Sequence, residues 1–311
     1  ARWADLVAEF LEAKSNPEQL RVWINTTLGE TFSDDYASAM SADVLLERCE
    51  DYEEGTLPAG VLSVTIGVDV QGGGGTLNER LAVSVWGWGR NEEAWLIAYQ
   101  EIAGDPTQAA VWKQLDQFVM RKWPHELGGS LKADFTAVDS GGMATSEVYQ
   151  YARERKAQGV IAIKGLSQRN KPSRVDINSR GKAIKKGAVL YGIGTDTCKN
   201  TLMGRLRHAE PGEGYLHFHA ATGQEYFEML TAEKQAIKFR NGFPERVWVL
   251  KPGKRNESLD TLCYSYAAFQ LLYRKFDRRT IWDQLEKRLE QPLRSKEAKA
   301  KPAEPSFVNN W

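Results

Sequence analysis

The sequence predicts an α/β fold, a mixed sheet with the core order β-β-β-α-β-α-β and helices around it. Three observations predict it. Residues 61–70 alternate Leu62, Val64, Ile66 and Val68 with smaller or more polar residues, the period of a strand buried more on one face. Two further strand-like runs, 80–88 and 94–102, follow with short connections, which reads as an antiparallel meander. Beyond them helical and strand patterns take turns, as they do in chains that pack helices on a sheet.

The chain has 311 residues, enough for one large domain or two smaller ones with a proper core. Its formal net charge is zero, so charge overall selects no partner. Cys49, Cys198 and Cys263 are far apart with no CxxC pair, which argues for reduced thiols in a cytosolic protein and against a zinc site or disulfide framework. No apolar run approaches membrane-spanning length and no signal peptide is evident. The chain opens on Ala1 rather than Met, as a piece of a longer protein would.

Residues 1–55 read as a helical segment with a linker. Leu6, Val7, Phe10 and Leu11 share one helical face, and Asn16-Pro17-Glu18 reads as a cap with proline in the first turn. Gly29 is the expected stop. Residues 34–54 carry eight acids against Arg48 alone, the composition of a solvated linker face. Residues 56–275 form the expected domain. After its first three strands, Pro106 and Thr107 open a helix carrying Val111, Leu115 and Val119. A fourth strand over 132–139 ends in Val138-Asp-Ser-Gly-Gly142, a helix spans about 145–156, and a fifth strand spans 159–164. Another strand is expected over 188–193, then a helix capped near Gly194 to Thr197 with Leu202 and Leu206 on its apolar side. Short strands are expected at 215–219 and 246–250, and a strong helix over 257–274. Residues 276–311 are expected to be a C-terminal helix and a Lys-, Pro- and Ala-rich tail.

Asp69 ends the first strand, just before Gly72-Gly-Gly-Gly75, and a carboxylate there is costly to desolvate without a partner. Asp139 ends the fourth strand in the same way. At ~100° per residue, Leu259, Leu262, Cys263, Tyr266, Gln270 and Tyr273 form the apolar side of the late helix, with Asp260 at its edge. A first-turn acid is also favoured by the helix dipole alone. If the first and fourth strands are neighbours, the three acids converge. Their repulsion is then relieved by hard divalent cations such as Mg²⁺, and two such ions can drive phosphodiester hydrolysis.

An acid on the first strand, the fourth strand and a later helix resembles the RNase H-like plan. More specifically, the chain resembles the nuclease domain of the large terminase subunit of tailed bacteriophages, in the lambda-like GpA branch. The similar pieces are Ile66-Gly-Val-Asp69, Val85-Trp-Gly-Trp-Gly89, Val138-Asp-Ser-Gly-Gly142, Ile163-Lys-Gly165, Gly192-Ile-Gly-Thr-Asp-Thr197 and Arg255-Asn-Glu-Ser-Leu-Asp260. Asn25-Thr-Thr-Leu-Gly-Glu-Thr31 resembles the segment that follows the ATPase motor in that family. The resemblance covers about residues 15–275. It implies a Mg²⁺- or Mn²⁺-dependent endonuclease that cuts concatemeric viral DNA during packaging in the host cytoplasm, with Asp69, Asp139 and Asp260 as metal ligands. It also implies double-stranded DNA, a terminase small subunit, a portal protein and an ATPase domain of the same subunit as partners. A GxxxxGK[ST] phosphate loop does not occur in the chain, so the motor itself is not expected here.

Other residues carry weaker signals. Glu257, three positions before Asp260, is either a fourth acid at the metals or a helix-start acid. Asp196 either caps the helix after Gly194, the preferred reading, or approaches the metals. His217 and His219 share a face of a short strand but lack a third ligand nearby in sequence; His125 and His208 offer nothing specific. Trp86 and Trp88 read as core. Residues 164–186 hold eight bases, Lys164, Arg169, Lys171, Arg174, Arg180, Lys182, Lys185 and Lys186, against Asp176 alone. That is the composition of a phosphate-contacting loop with no base-reading motif. Two other functions compete. An actin- or sugar-kinase-like ATPase also begins with three strands and an Asp, though the Asp-x-Gly-Thr pattern is missing. A portal-docking module would leave the acids merely structural.

Overall fold

The computed structural model describes residues 2–13, 17–29, 40–72, 75, 78–166, 182–184, 187–240, 243–277 and 279–289. Helices α1 (Trp3–Ala13), α2 (Pro17–Trp23) and α3 (Ala42–Leu46) precede the sheet. α2 runs on as a π-helix, Ile24–Leu28, and ends at Gly29, whose φ of 68° is the left-handed turn that glycine allows. Then come β1 (Ser63–Gln71), β2 (Arg80–Trp88), β3 (Ala94–Ala103), α4 (Ala109–Val119), a small hairpin β4 (Trp123–Pro124) and β5 (Ser130–Leu131), β6 (Phe135–Asp139), α5 (Thr145–Glu154) and β7 (Val160–Leu166). The chain continues through β8 (Lys182–Ala183), β9 (Val189–Gly194), α6 (Thr195–Arg205), β10 (Leu216–His217) and α7 (Gln224–Leu230). It closes with β11 (Glu233–Arg240), β12 (Phe243–Leu250), α8 (Glu257–Gln270), α9 (Leu272–Lys275) and a helical stretch over 281–289.

The main sheet has the order β10-β3-β2-β1-β6-β7-β9-β8. β1, β2 and β3 form the antiparallel meander, while β6, β7 and β9 join β1 as successive parallel strands. This is a mixed sheet flanked by helices, compatible with the RNase H-like plan. β11 and β12 pair only with each other.

β1 departs from the expected one-sided burial. Every residue from Ser63 to Val70 is buried. The apolar alternation marks one face; the other is covered by α8, from nearly 200 positions later in the chain. Thr65 Oγ1 donates to the Ser265 carbonyl at 2.9 Å, and Trp88 Nε1 donates to Thr65 Oγ1 at 2.7 Å. Gly67, on the same face two residues further on, gives the helix room to approach: a Cβ there would meet the Thr261 carbonyl and the Ser265 nitrogen. Trp86 and Trp88 are fully buried, as expected, and Trp88 stacks on Phe269 of α8 with ring centroids 4.6 Å apart.

In the described part of the acidic stretch, residues 40–54, Asp43, Glu47, Asp51, Glu53 and Glu54 face solvent as expected, while other side chains tie the segment to the domain. Leu45 is fully buried, Arg48 Nη1 donates to the Leu206 carbonyl, and Glu50 accepts from His217 at 2.7 Å. At the opposite end of the sheet from Asp69, Glu92 sits in the turn between β2 and β3 with a positive φ of 63°. It binds Arg205 of α6 and accepts from Tyr266 of α8 at 3.0 Å and Tyr273 of α9 at 2.7 Å, so it ties three helices to one turn. Burial pushes its carboxyl pKa up, but Arg205 and the phenols outweigh burial and hold it below the usual range. Glu92→Gln is expected to cost about 2–3 kcal/mol, less than breaking a fully buried pair because both partners keep some solvent access. A urea titration reads this as a lower midpoint at unchanged slope; an unmoved midpoint would show that Arg205 finds its compensation elsewhere.

Candidate active site

Asp69 and Asp139 end neighbouring parallel strands in matched register. Val68 of β1 stands beside Val138 of β6, so the two aspartates are the next residues of each strand at the same sheet end. Asp69 shares a face with Thr65 and Gly67, the face α8 covers. The helix is pinned at Thr261 and Ser265, and Asp260 in its first turn is thereby held over the same end. Sequence alone left the pairing of the first and fourth strands conditional; the sheet brings them together.

The three carboxylates act on one another. Burial pushes Asp69 up to about 7, Asp260 and Asp139 add to the rise, and a hydrogen bond from Gln71 opposes it. Burial also raises Asp139, as does Asp260, while the backbone N–H groups of Gly141 and Ser140 and the charge of Lys164 pull it down. Burial raises Asp260 against the pull of Lys199. Tyr264, one turn beyond Asp260 on α8, is buried and feels Asp260, Asp69 and Asp139 together. The donor set is therefore all carboxylate, desolvated and mutually repelling. That chemistry fits hard divalent cations with oxygen ligands.

The surroundings hold these acids closed. Lys199 Nζ of α6 lies 2.9 Å from Asp260 Oδ1 and 2.5 Å from Glu233 Oε1. Asn256 Nδ2 donates to Asp260 Oδ2 at 2.8 Å and to Glu233 Oε1 at 2.6 Å. Burial opposes the charge of Lys199, but Asp260 and Glu233 keep its pKa above the usual lysine value. Glu257 is buried and engaged by Arg80 of β2 and by Arg255. Its place is thus an ion-pair network beside the aspartates, with Arg255 also reaching Glu101. Among the described residues, no three histidine, cysteine or acidic side chains already stand as a ready-made ligand set. In this arrangement Asp260 is turned toward Lys199 and Asn256.

A profile of the family described as "Terminase large subunit gpA, endonuclease domain" matches residues 1–282. The chain belongs to this family. It is 31% identical over 278 residues to the terminase large subunit of Escherichia phage lambda, a match covering 86% of this chain and 41% of that protein. It is 29% identical over 277 residues to the terminase large subunit of Enterobacteria phage P21, with the same shares of each chain. The chain thus spans about two fifths of the length of these curated relatives.

Within this terminase endonuclease domain, the other expected residues are distributed unevenly. Lys164 is exposed at the end of β7, close enough to Asp139 to lower its pKa. Lys182 is exposed on β8. Arg169, Lys171, Arg174, Arg180, Lys185 and Lys186 lie outside the described residues. Asp196 stands in the first turn of α6 rather than as its cap, which is Gly194. Among the described residues His217 joins no metal-binding group: its Nδ1 faces Glu50 and its Nε2 faces Glu93 at 2.8 Å, with the ring stacked on Trp95. His219 is buried, and burial lowers its pKa. No helix among the described residues is long and apolar enough to cross a membrane.

Sequence reasoning missed Lys199, Glu233, Asn256 and Tyr264. One signal was readable for the first. Lys199 shares a helical face with Leu202, Met203 and Leu206, all apolar, and a lysine in such a stripe needs a buried anion. Glu233 and Asn256 carry no comparable mark.

Proposed function

We propose that this chain is a divalent-metal-dependent endodeoxyribonuclease that cuts concatemeric double-stranded viral DNA during genome packaging inside the host cell. Asp69, Asp139 and Asp260 hold Mg²⁺ or Mn²⁺. The observation that carries this reading is the meeting, at one sheet end, of three aspartates separated by up to 191 positions and raised together by burial and mutual repulsion. Two bound cations would activate water and neutralise charge on the leaving oxygen in phosphodiester hydrolysis. The protein's own residues do the rest. β1 and β6 fix two carboxylates in register, and α8 sets the third over them. Gln71 orients Asp69, and the backbone N–H groups of Ser140 and Gly141 orient Asp139. Lys164, exposed beside Asp139, is placed to meet a backbone phosphate. Site choice then belongs to a terminase small subunit, and the further partners are a portal protein and an ATPase domain of the same subunit.

The test is conversion of supercoiled plasmid to nicked and linear forms. Mn²⁺-dependent cleavage that EDTA stops and Asp139→Asn abolishes is the expected result. Cleavage that continues in EDTA would overturn the metal assignment.

The basic edge gives a separate prediction. Replacing Lys164 and Lys182 together with Ala is expected to flatten the slope of log Kd for DNA against log salt. The slope changes by about 0.9 for each DNA phosphate that the protein no longer neutralises. An unchanged slope would remove both residues from the interface.

A further inference from the structure

We infer that Lys199 is a positioning residue, the built-in counterion of Asp260, which a divalent cation must displace, and that Glu233 receives the displaced ammonium. The inference rests on the metal reading of Asp69, Asp139 and Asp260 given above. Its basis is a closed ring of four side chains. Lys199 Nζ lies 2.9 Å from Asp260 Oδ1 and 2.5 Å from Glu233 Oε1, and Asn256 Nδ2 reaches Glu233 Oε1 at 2.6 Å and Asp260 Oδ2 at 2.8 Å. Both oxygens of Asp260 are therefore engaged by donors from the protein.

Lys199 and Glu233 are both buried, so neither charge is served by bulk water. A dication on Asp260 would stand next to the ammonium, and two cations at such range in a site of low dielectric repel strongly. The ammonium has a short way to go. It is already nearer to Glu233 than to Asp260, it rotates freely among three donors, and its four-carbon stem is flexible. Asn256, the cap residue of α8, holds Glu233 within reach whichever partner the lysine takes. In this arrangement Glu233 is the anion that lets Asp260 change partners without leaving a buried lysine unpaired.

The experiment measures Mn²⁺ binding to the whole chain by the electron paramagnetic resonance signal of free Mn²⁺ and by calorimetry, with circular dichroism and a thermal melt confirming the fold of each variant. Lys199→Met removes the competitor and is expected to tighten Mn²⁺ binding roughly tenfold or more. Lys199→Arg, which keeps the charge, is expected to bind within about threefold of the parent protein by the same reasoning. Glu233→Gln leaves Asp260 as the lysine's one carboxylate partner in the ring and is expected to weaken binding. Opposite changes in the Met and Gln variants support the inference, and the Gln variant decides it if Lys199→Met does not fold. An ion pair with a merely structural role moves the melting temperature and leaves the Mn²⁺ affinities equal. Parent protein that binds Mn²⁺ with no change in either variant overturns this inference alone. Parent protein that binds no Mn²⁺ overturns the metal reading, and this inference with it.

Discussion

Asp69→Asn is expected to lower Mn²⁺-dependent DNA cleavage by roughly a thousandfold or more, and at the same time to raise the thermal stability of the metal-free protein. The two effects have one cause. The Asp69 carboxylate is buried, and burial with Asp260 and Asp139 raises its pKa from 3.8 to about 7. The folded state therefore binds that proton more tightly than the unfolded state does. The resulting stabilisation is fully present below pH 3.8 and is lost as the pH rises through about 7. Above neutrality the metal-free protein carries an uncompensated buried charge, which asparagine lacks while keeping the shape and one acceptor for Gln71. The melting temperature of the variant is expected to exceed that of the parent by several degrees at pH 8 and to match it near pH 4. Mn²⁺ should stabilise the parent at pH 8, much less at pH 5, and the variant hardly at all. Differential scanning fluorimetry across pH with and without Mn²⁺, beside the plasmid assay, reads every part of this. Cleavage retained within tenfold, or a variant no more stable at pH 8 than the parent, would remove Asp69 from the site.

The legible parts of the fold were those written locally. The alternation in β1, the close spacing of the first three strands and the helix at residue 257 were all readable, and their boundaries fall within a few residues of the observed ones. So were Asp69 and Asp139, because a carboxylate closing an apolar strand conflicts with its own surroundings unless something else is there. Less legible was what depends on distant packing. One-sided burial of β1 was a sound inference from its pattern, yet α8 covers the other face as well: Thr65 bonds the Ser265 carbonyl, and Gly67 leaves room for the helix backbone. Composition was right for most acids of residues 40–54, since Asp43, Glu47, Asp51, Glu53 and Glu54 face solvent, but it gave no sign that Glu50 serves a histidine on β10. Glu257 read as either a metal ligand or a helix-start acid; it does open α8, and what the sequence did not show is its ion-pair network with Arg80 and Arg255. Apart from Arg255, two residues from Glu257, these partners are distant in the chain, so spacing carries no trace of them.

Gly67→Ala is expected to be the most damaging single substitution in the described core. A Cβ at residue 67 would lie 1.9 Å from the Thr261 carbonyl oxygen and 2.8 Å from the Ser265 nitrogen, both backbone atoms of α8. No rotamer change can relieve that overlap. β1 is clasped between β2 and β6 and cannot withdraw, so the helix must lift, which breaks the bond from Thr65 to the Ser265 carbonyl and loosens the Trp88–Phe269 stack. Inserting one methylene-sized group into a packed core costs roughly 1–3 kcal/mol when side chains can yield. Here backbone faces backbone, and a loss of about 4 kcal/mol or more is expected by the same reasoning. Gly142→Ala is the control, since its nearest neighbour would be the Val70 carbonyl at an ordinary 3.4 Å; its effect should stay within about 0.5 kcal/mol. The consequence extends to chemistry, because the segment that lifts carries Asp260 away from Asp69 and Asp139. At temperatures where Gly67→Ala remains folded, cleavage should fall more steeply than the folded fraction, whereas Gly142→Ala should track it. Stability of Gly67→Ala within about 1 kcal/mol of the parent in urea would mean that α8 does not rest on β1 at this point, and the convergence of the three aspartates would lose its mechanical basis.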